Sequence, residues 1–284
     1  VPYSTTYLGY DRQMLKRNNN MIAAGLQFFY DKAASGTLST FNPTISMSYT
    51  RFLKQEKIAL SGGIQMGYLQ TNVDASSIEF NSQYGPNGFD PTISSGESFE
   101  NGSFVTFALG GNVNAVLYGK SNIDVGFAIH NPHKPTYDFS AYLGDARPAR
   151  YSAYFNSEFF TNSQISLSPA FYFNTQETAK EFHTSVRLNY YTKSEKTPVK
   201  LSVGGGYRNN DAVLTYIGAE VKDFIFGFSY DVNTSSFEDA TNKKGGFELS
   251  LQYGFERKKK DKTIEIDTSD VIDSLLVEED TIIE

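Results

Sequence analysis

The chain of 284 residues contains no cysteine, which excludes a disulfide scaffold, a zinc ribbon and a thiol enzyme. No stretch approaches about eighteen consecutive apolar residues, so a helical membrane protein is excluded as well. The 25 basic residues are outnumbered by 32 acidic ones, and a net charge of −7 without a basic patch argues against a nucleic-acid partner. Tryptophan is absent, yet 19 Tyr and 23 Phe make the chain far too aromatic to be disordered.

Residues suited to catalysis or to metal binding are few. The three histidines are His130, His133 and His183. His130 and His133 flank a proline turn and offer two ligands where a structural zinc site needs four. His183 falls on the polar side of a predicted strand. The glycines at 204–206 do not form a phosphate loop, because neither a helix nor a Gly-Lys-Ser/Thr sequence follows them. We therefore expect no enzyme activity, no catalytic residue, no cofactor and no metal.

Alternation with a period of two residues runs through the whole chain. Residues 224–232 place Phe224, Phe226, Phe228, Tyr230 and Val232 on one face and Ile225, Gly227, Ser229 and Asp231 on the other. This is the signal of a β-strand, because successive side chains of a strand point to opposite faces. The same alternation predicts an outer, lipid-facing set of residues, which are Phe171, Phe226, Phe228, Leu249 and Leu251. It predicts an inner, polar set, which are Ser168, Ser229, Asp231 and Gln252.

The predicted strands are long, at about ten to fifteen residues, whereas strands of soluble proteins usually have about five or six. They lie near 2–12, 20–31, 39–53, 57–71, 103–119, 122–130, 149–161, 163–176, 180–193, 198–208, 212–222, 224–235 and 245–256. A tilted strand needs roughly nine to eleven residues to cross a bilayer. Long strands with one apolar face and one small, polar face predict an all-β fold, a transmembrane antiparallel β-barrel.

The strand count and the lengths of the connections refine this prediction. Bacterial single-chain barrels have even numbers of strands, so we expect about 14, with the first strand and a signal peptide lying before Val1. A merged or split strand is the alternative. The two longest connections, 72–102 and 131–148, fall on the same side of the predicted sheet. Short turns on the periplasmic side and long loops on the outer side are the rule for such barrels.

The chain is expected to divide into an outer-membrane barrel over 1–256 and a charged periplasmic tail over 257–284. A basic cluster at the start of the tail is either a solvated charge run or a contact to lipid head groups. The acidic remainder is either disordered or a short helix that binds a periplasmic partner. The predicted partner-binding residues of that helix share one face, and they are Val271, Ile272, Leu275 and Leu276.

The two long loops are too aromatic to be spacers, and Tyr and Arg are enriched at binding hot spots. We expect these loops to contact a secreted or surface-exposed protein. The candidate residues are Phe80, Tyr84, Phe89 and Phe99 in the first loop, and Tyr137, Phe139, Tyr142, Arg147 and Arg150 in the second. The alternative is that the loops fold inward and plug the barrel.

A series of short motifs runs along residues 1–256 in a particular order and spacing. The motifs are PYSTTY at 2–7, GYD at 9–11, GL at 25–26, YDKA at 30–33, SY at 48–49, LSGG at 60–63, DP at 90–91, SVGGGYR at 202–208 and FSYD at 228–231. Together they resemble the PorP/SprF-like outer-membrane proteins of the type IX secretion system of Gram-negative bacteria. The family's usual N-terminal segment is missing, and the long acidic tail departs from its pattern.

The resemblance implies a non-enzymatic protein that supports secretion and surface anchoring of large adhesins, and in some members gliding motility. It implies that a secreted adhesin or its C-terminal sorting domain binds outside, and that secretion-machine components bind in the periplasm or outer membrane. A second function remains open, a porin or transporter that passes a small solute. The inner charges Glu158, Glu181, Arg187, Arg208, Asp231 and Glu248 have mixed signs, which favours the first function because porin selectivity usually needs a ring of one sign.

Overall fold

The computed structural model describes residues 4–33, 37–74, 78–96, 101–136, 146–193, 197–235 and 244–255. Thirteen long strands in these ranges form one antiparallel sheet, in which each strand pairs with its neighbours in chain order. They are β1 (Ser4–Arg17), β2 (Asn20–Ala33), β3 (Leu38–Leu53), β4 (Ile58–Val73), β7 (Gly102–Val116), β8 (Asn122–His130), β9 (Arg150–Phe160), β10 (Ile165–Gln176), β11 (Ala179–Tyr191), β12 (Val199–Arg208), β13 (Ala212–Val221), β14 (Phe224–Asn233) and β15 (Lys244–Tyr253). A separate small hairpin pairs β5 (Tyr84–Gly85) with β6 (Gly88–Phe89).

The prediction of thirteen long strands at these places in the chain is confirmed. The end of the first strand was predicted wrongly, because β1 continues to Arg17 instead of stopping near residue 12. Its pairing with β2 shifts register between Gln13 and Leu15. Met14 has no partner in β2 at this bulge, so the alternation of the sequence breaks while the strand continues.

Within the described residues the sheet has two free edges and is not closed, so the predicted barrel is not confirmed. In the described part of the chain β1 pairs with β2 alone, and β15 lies at the opposite end of the sheet order. Every neighbouring pair is antiparallel, and an odd number of strands leaves the two edge strands running in the same direction. Pairing β1 directly with β15 would therefore interrupt the antiparallel pattern.

The two faces of the sheet differ in chemistry, as the alternation predicts. On one face, exposed aliphatic side chains such as Ile45, Val125 and Ile217 occupy the middle of their strands. Phenylalanines such as Phe127 and Phe228 also occupy the middle of that face, and further exposed aromatic side chains lie nearer the strand ends. They include Tyr30, Phe41, Tyr68, Tyr151, Phe182 and Tyr207 towards one end of the sheet and Tyr49, Phe159, Tyr190 and Phe224 towards the other. The predicted outer residues Phe171, Phe226, Phe228, Leu249 and Leu251 are all exposed, whereas Ser168 of the predicted inner set is buried.

The other face, called the polar face, is the concave one. One cavity on this face is lined both by Asn42 of β3 and by Gln176 of β10. These strands stand five positions apart in the sheet order, which in a flat sheet would separate them by about 24 Å. The sheet therefore curls around its polar side chains.

Because consecutive strands run in opposite directions, the connections between them lie alternately at the two ends of the strands. The end that carries the turns after β1, β3, β7, β9, β11 and β13 is called the turn end, and the opposite end is called the loop end. Both long connections, between β4 and β7 and between β8 and β9, lie at the loop end, which confirms the predicted parity. At the turn end the chain reverses tightly, as at Asn18, where φ is 50° and an asparagine tolerates the left-handed conformation.

The most buried polar side chains join four strands near the turn end. Ser166 of β10 is 0% exposed and Asn189 of β11 is 2% exposed. The Asn189 amide donates to Ser166 Oγ at 3.0 Å and to Ser168 Oγ at 2.8 Å, while Ser202 of β12 donates to Asn189 Oδ1 at 2.7 Å. These bonds run perpendicular to the strands and fix the register of β10, β11 and β12.

Glu158 of β9 extends this cluster. Its Oε1 atom accepts hydrogen bonds from Ser166 Oγ and Tyr191 Oη, both at 2.5 Å, and from Asn189 Nδ2 at 3.2 Å. The Lys200 ammonium lies 3.5 Å from the same oxygen. A carboxylate removed from water needs such donors, since an unpaired buried charge is costly.

The chain divides into two compact units, residues 1–252 and 253–284. The sheet described above belongs to the first. In the second, only residues 253–255 are described, and the rings of Tyr253 and Phe255 pack edge to face with centroids 4.5 Å apart.

Candidate functional site at the loop end

The described part of the β4–β7 connection, residues 78–96, folds around a buried amide. Gln83 ends a short 3-10 helix, Asn81–Gln83, and is buried. Its Oε1 atom accepts from the Phe80 N–H at 3.1 Å, and its Nε2 atom donates to the Ile93 carbonyl at 3.0 Å. The Asp90 N–H donates to the Gln83 carbonyl at 2.9 Å. Gln83 therefore ties both ends of this segment together and gives it a defined shape.

The small hairpin of this segment presents two aromatic rings. Tyr84 is 52% exposed, Phe89 is 38% exposed, and their ring centroids lie 5.6 Å apart in paired strands. Gly88 turns the hairpin at a φ of 105°, a conformation that a residue with a Cβ rarely adopts. Tyr84 Oη donates to Glu79 Oε2 at 2.5 Å, and this bond raises the pKa of Tyr84 above its usual value. Both rings are thus held in place while remaining open to solvent.

The turn that follows the hairpin is fixed by Asp90. Its Oδ1 atom accepts from the Thr92 N–H at 2.9 Å and from Thr92 Oγ1 at 2.7 Å. These two bonds favour the ionised carboxylate and lower the pKa of Asp90 below its usual value. The Asp90-Pro91 dipeptide of the sequence motif therefore serves to close this turn.

The described parts of the β8–β9 connection lie over the polar face. Thr136 and Ala146 form an isolated bridge, and the Arg147 N–H donates to the Pro135 carbonyl at 2.8 Å. Gln176 of β10 donates to the Pro148 carbonyl at 2.8 Å. The Arg147 guanidinium lies over the Phe104 ring, 5.4 Å from its centroid. These contacts attach the segment that precedes β9 to its neighbours.

A cavity of about 210 Å³ lies beneath that segment. Its walls include Arg147 and Arg150, together with His130, which stands opposite Arg150 in the β8–β9 pair. Polar side chains from four strands and one loop complete the lining, and they are Asn42, Thr44, Gln65, Thr106, Asn131 and Gln176. The described lining residues contain no Asp or Glu.

The structure brings together only some of the residues predicted to bind a partner. Tyr84 and Phe89 form one exposed pair, and Phe80 is half-buried beside them. Arg147 and Arg150 share the cavity wall. The remaining predicted residues lie outside the described part of the chain, and they are Phe99, Tyr137, Phe139, Tyr142, Val271, Ile272, Leu275 and Leu276.

Two features of this end were missed by sequence reasoning. Nothing in the spacing of Asn42, His130 and Gln176 shows that the sheet curls enough to bring them to one cavity. The short hairpin carried a signal, since Asn87-Gly88 between Tyr84 and Phe89 is a turn dipeptide, but a segment of two residues per strand is too short to show alternation.

Charged groups elsewhere on the polar face contact both charged and uncharged side chains. Arg208 contacts Asp211 and, at 3.0 Å, Asp231. The Arg187 guanidinium lies 5.4 Å from the centroid of the Tyr216 ring. Of the other predicted inner charges, Glu158 binds the cluster described above, Glu181 accepts from Asn174 at 3.1 Å, and Glu248 accepts from Ser229 at 3.4 Å. Of the six predicted inner charges, Glu158, Arg208 and Asp231 therefore lie in ion pairs, whereas Arg187, Glu181 and Glu248 contact uncharged side chains.

The described residues contain neither a helix long and apolar enough to cross a membrane nor a cluster of ligands suited to a metal ion. What they do contain is one large antiparallel sheet of long strands, with an apolar face, a polar face and loops gathered at one end.

The sequence profile of the family described as type IX secretion system membrane protein PorP/SprF matches residues 2–253. The chain therefore belongs to the PorP/SprF family, as the motifs predict. Family membership implies an outer-membrane component of the type IX secretion system.

No curated protein matches the chain by sequence. Among solved structures, the chain is similar to BamA from Haemophilus ducreyi lacking POTRA domains 1–3, with 10% identity and a TM-score of 0.41. The match covers 88% of this chain and 61% of the BamA chain, so the chain spans less than two thirds of that structure's length.

Proposed function

We propose that this protein is a non-enzymatic outer-membrane β-barrel that holds a secreted partner of the type IX secretion system at its loop end. The observation that carries the proposal is the pair of exposed rings, Tyr84 and Phe89, on a hairpin that Gln83 and Asp90 hold in shape. Rigid aromatic side chains contribute large contact area at low cost in conformational entropy. Large aromatic residues are also enriched among binding hot spots.

The distribution of side chains on the apolar face supports a membrane location. The long strands have ten to sixteen residues, except for β8 with nine, and roughly nine to eleven are needed to cross a bilayer. Aliphatic and phenylalanine side chains fill the middle of the face, and further aromatic side chains, many of them tyrosines, lie towards both ends. Aromatic girdles that flank an apolar band are typical of transmembrane barrels.

Barrel closure requires every edge to be paired, because lipid offers no hydrogen bonds to a free strand. The two edge strands β1 and β15 run in the same direction, so one further strand between them would be antiparallel to both. We propose a closed barrel of fourteen strands formed in this way, in agreement with the count expected from the sequence.

The family points to the nature of the partner. A type IX secretion component whose loop segment 78–96 has a defined shape suits a secreted adhesin, or the sorting domain at the C-terminus of such a protein, as the occupant of the loop end. Surface anchoring of adhesins, and gliding motility in some organisms, would follow. The acidic tail, 257–284, is proposed to lie in the periplasm and to contact other components of the secretion machine.

Replacement of residues 79–96 by a short Gly-Ser linker tests this function in cells. Surface display of the partner, measured by antibody labelling of intact cells, is expected to fall to background. Barrel assembly, measured by the change of gel mobility on heating, should be unchanged because these residues lie outside the sheet. Normal display in the variant would contradict the proposal.

The same variant distinguishes the porin alternative. A loop that only narrows or plugs a pore should, when removed, open a large single-channel conductance while leaving the partner displayed. The charges on the polar face have both signs, and Glu158 with Lys200 and Arg208 with Asp231 form ion pairs, which argues against an open channel of one charge sign. We therefore expect the variant to remain non-conducting.

An arginine placed on the apolar face tests the membrane location. Phe228 is the fifth of ten residues in β14 and stands opposite Ile217, so it is expected near the bilayer midplane. Phe228→Arg should lower the free energy of unfolding in bilayers by about 2–4 kcal/mol, measured by urea titration. The matched control is Phe224→Arg, on the same face at the strand end, which should cost about 0–1 kcal/mol. Equal costs at the two positions would argue against this orientation.

A further inference from the structure

We propose that the first three strands bind the phosphate group of an anionic phospholipid on the apolar face, at the turn end. The site consists of Arg17 of β1, Asn20 of β2 and Arg51 of β3, and these three residues are called the arginine row. This lipid site rests on the membrane location that the proposed function assigns to the apolar face, and it specifies the lipid at one place on the border of that face.

The three residues form a row across neighbouring strands. Arg17 stands directly opposite Asn20, and Asn20 stands directly opposite Arg51. Side chains that stand opposite each other in paired strands lie on the same face of the sheet. That face is the apolar one, because Arg51 alternates in step with the exposed residues Met47 and Tyr49. The two arginine backbones are two strand spacings apart, about 10 Å, so their long side chains can reach one phosphate group between them.

Hydrogen bonds hold the arginine row in place and leave it as a set of donors. Asn20 Oδ1 accepts from Arg51 Nη1 at 3.3 Å and from Tyr49 Oη at 2.8 Å. Among the described residues, neither Asn20 Nδ2 nor the Arg17 guanidinium has a hydrogen-bond acceptor. A phosphate group offers several acceptor oxygens, and arginine binds it with two parallel N–H donors. The row is therefore suited to a phosphate.

The surroundings of the arginine row are basic. Residues 13–20 and 50–58 contain five cationic side chains and one carboxylate, Glu56. Glu56 is already paired with Lys16 at 3.0 Å. Within the ranges that the structure describes, neither arginine of the row has a carboxylate within ion-pair distance. This favours a lipid with net negative charge, because the ammonium group of a zwitterionic lipid would find no free carboxylate here.

The arginine row lies at the border of the apolar face. Arg17 is the last residue of β1, and Arg51 stands two residues before the end of β3. The next row towards the middle of the face includes Leu15 and Tyr49. A third arginine of this face, Arg12, stands nearer the middle of β1 and is outside the row. Arginine and tyrosine side chains at the end of a membrane-spanning segment reach the level of the lipid head groups, so the row meets phosphates and not acyl chains.

The chain has no tryptophan, so a single one can be introduced as a local reporter. Leu60→Trp places it on the apolar face of β4, opposite Arg51. The full-length protein is reconstituted in vesicles of phosphatidylcholine with brominated acyl chains, which quench tryptophan fluorescence on contact. Unbrominated phosphatidylglycerol or phosphatidylethanolamine then competes for the place beside the reporter. We expect phosphatidylglycerol to relieve the quenching with an affinity at least about fivefold above that of phosphatidylethanolamine.

A second reporter and two sets of variants separate a defined site from general attraction to an anionic membrane. Phe159→Trp lies on the same face at the turn end of β9 and should show a preference of less than about twofold. In the Leu60→Trp background, Arg17→Gln combined with Arg51→Gln should lower the preference at position 60 to that at position 159. The control Lys32→Gln, on the same face at the loop end of β2, should leave the preference unchanged.

The change of gel mobility on heating shows whether each variant has folded. An equal preference at the two reporters, or a preference that survives in the folded double variant, would overturn the lipid site. So would the absence of any preference, which is expected if an acidic protein occupies the arginine row. No quenching at either position would contradict the membrane location and the lipid site with it, so the two kinds of failure are distinguishable.

Discussion

Replacing Glu158 with alanine is expected to lower the free energy of unfolding by about 3 kcal/mol, one of the largest effects of any single substitution on the polar face. The Glu158 side chain is 17% exposed and that of Lys200 is 24% exposed, so both charges are largely withdrawn from water. The substitution removes the acceptor for Ser166 and Tyr191 and leaves Lys200 without its partner. Breaking one side of a buried ion pair costs more than removing the whole pair.

Urea titration of the protein in lipid bilayers measures this effect, with tyrosine fluorescence as the signal because the chain has no tryptophan. The matched control is Glu181→Ala on β11, an exposed carboxylate of the same face with one hydrogen bond to Asn174. It should change stability by no more than about 0.5 kcal/mol.

A double variant checks the cause. Adding Lys200→Met to Glu158→Ala should recover part of the loss, with a coupling energy of about 0.5–3 kcal/mol. Additive effects of the two substitutions would show that the pair contributes nothing. In that case Glu158 stabilises the cluster through the hydrogen bonds that it accepts from Ser166, Tyr191 and Asn189, and not through Lys200.

The second large effect concerns binding. The double substitution Tyr84→Ala and Phe89→Ala should weaken binding of the secreted partner at least about tenfold, since truncating hot-spot residues commonly costs about 2 kcal/mol or more. The two rings pack on each other and are exposed together, so removing both deletes one continuous contact surface. Binding is measured with intact cells and the labelled partner at increasing concentration.

Tyr118→Ala provides the control for this measurement. Tyr118 is 92% exposed and lies at the turn end, whereas the hairpin belongs to a connection at the loop end. Its loss should leave partner binding unchanged. A tenfold loss in the Tyr118 variant, or full binding by the hairpin variant, would place the contact surface elsewhere.

Most of the sheet could be predicted from the sequence because its strands alternate so regularly. In β14, Phe226 and Phe228 fall on one face and Gly227 and Ser229 on the other, and this order survives in the structure. The alternation also located the strands, and consecutive strands of an antiparallel sheet run in opposite directions. The side on which each connection lies could therefore be predicted by counting strands. The exception is β1, where the bulge near Met14 breaks the alternation without ending the strand.

The candidate site was less predictable, for physical reasons. The exposed aromatic residues of the first loop could be named from composition, but the role of Gln83 depends on hydrogen bonds to Phe80 and Ile93 that leave no pattern in the sequence. The cavity depends on how far the sheet curls, which brings Asn42 and Arg150 together across positions more than one hundred residues apart in the chain. Curvature of this kind arises from the twist of the whole sheet, so no short segment of the sequence predicts it.

Site-specific photo-crosslinking in living cells gives the most direct test of the loop end as the place where a secreted partner binds. A photoreactive amino acid would replace Tyr84 in one strain and Tyr118 in another, and crosslinked products would be identified by mass spectrometry. A secreted type IX substrate should be captured from position 84 and not from position 118. Capture of such a substrate from position 118 alone, or from neither position while the protein is correctly assembled, would contradict the proposed function.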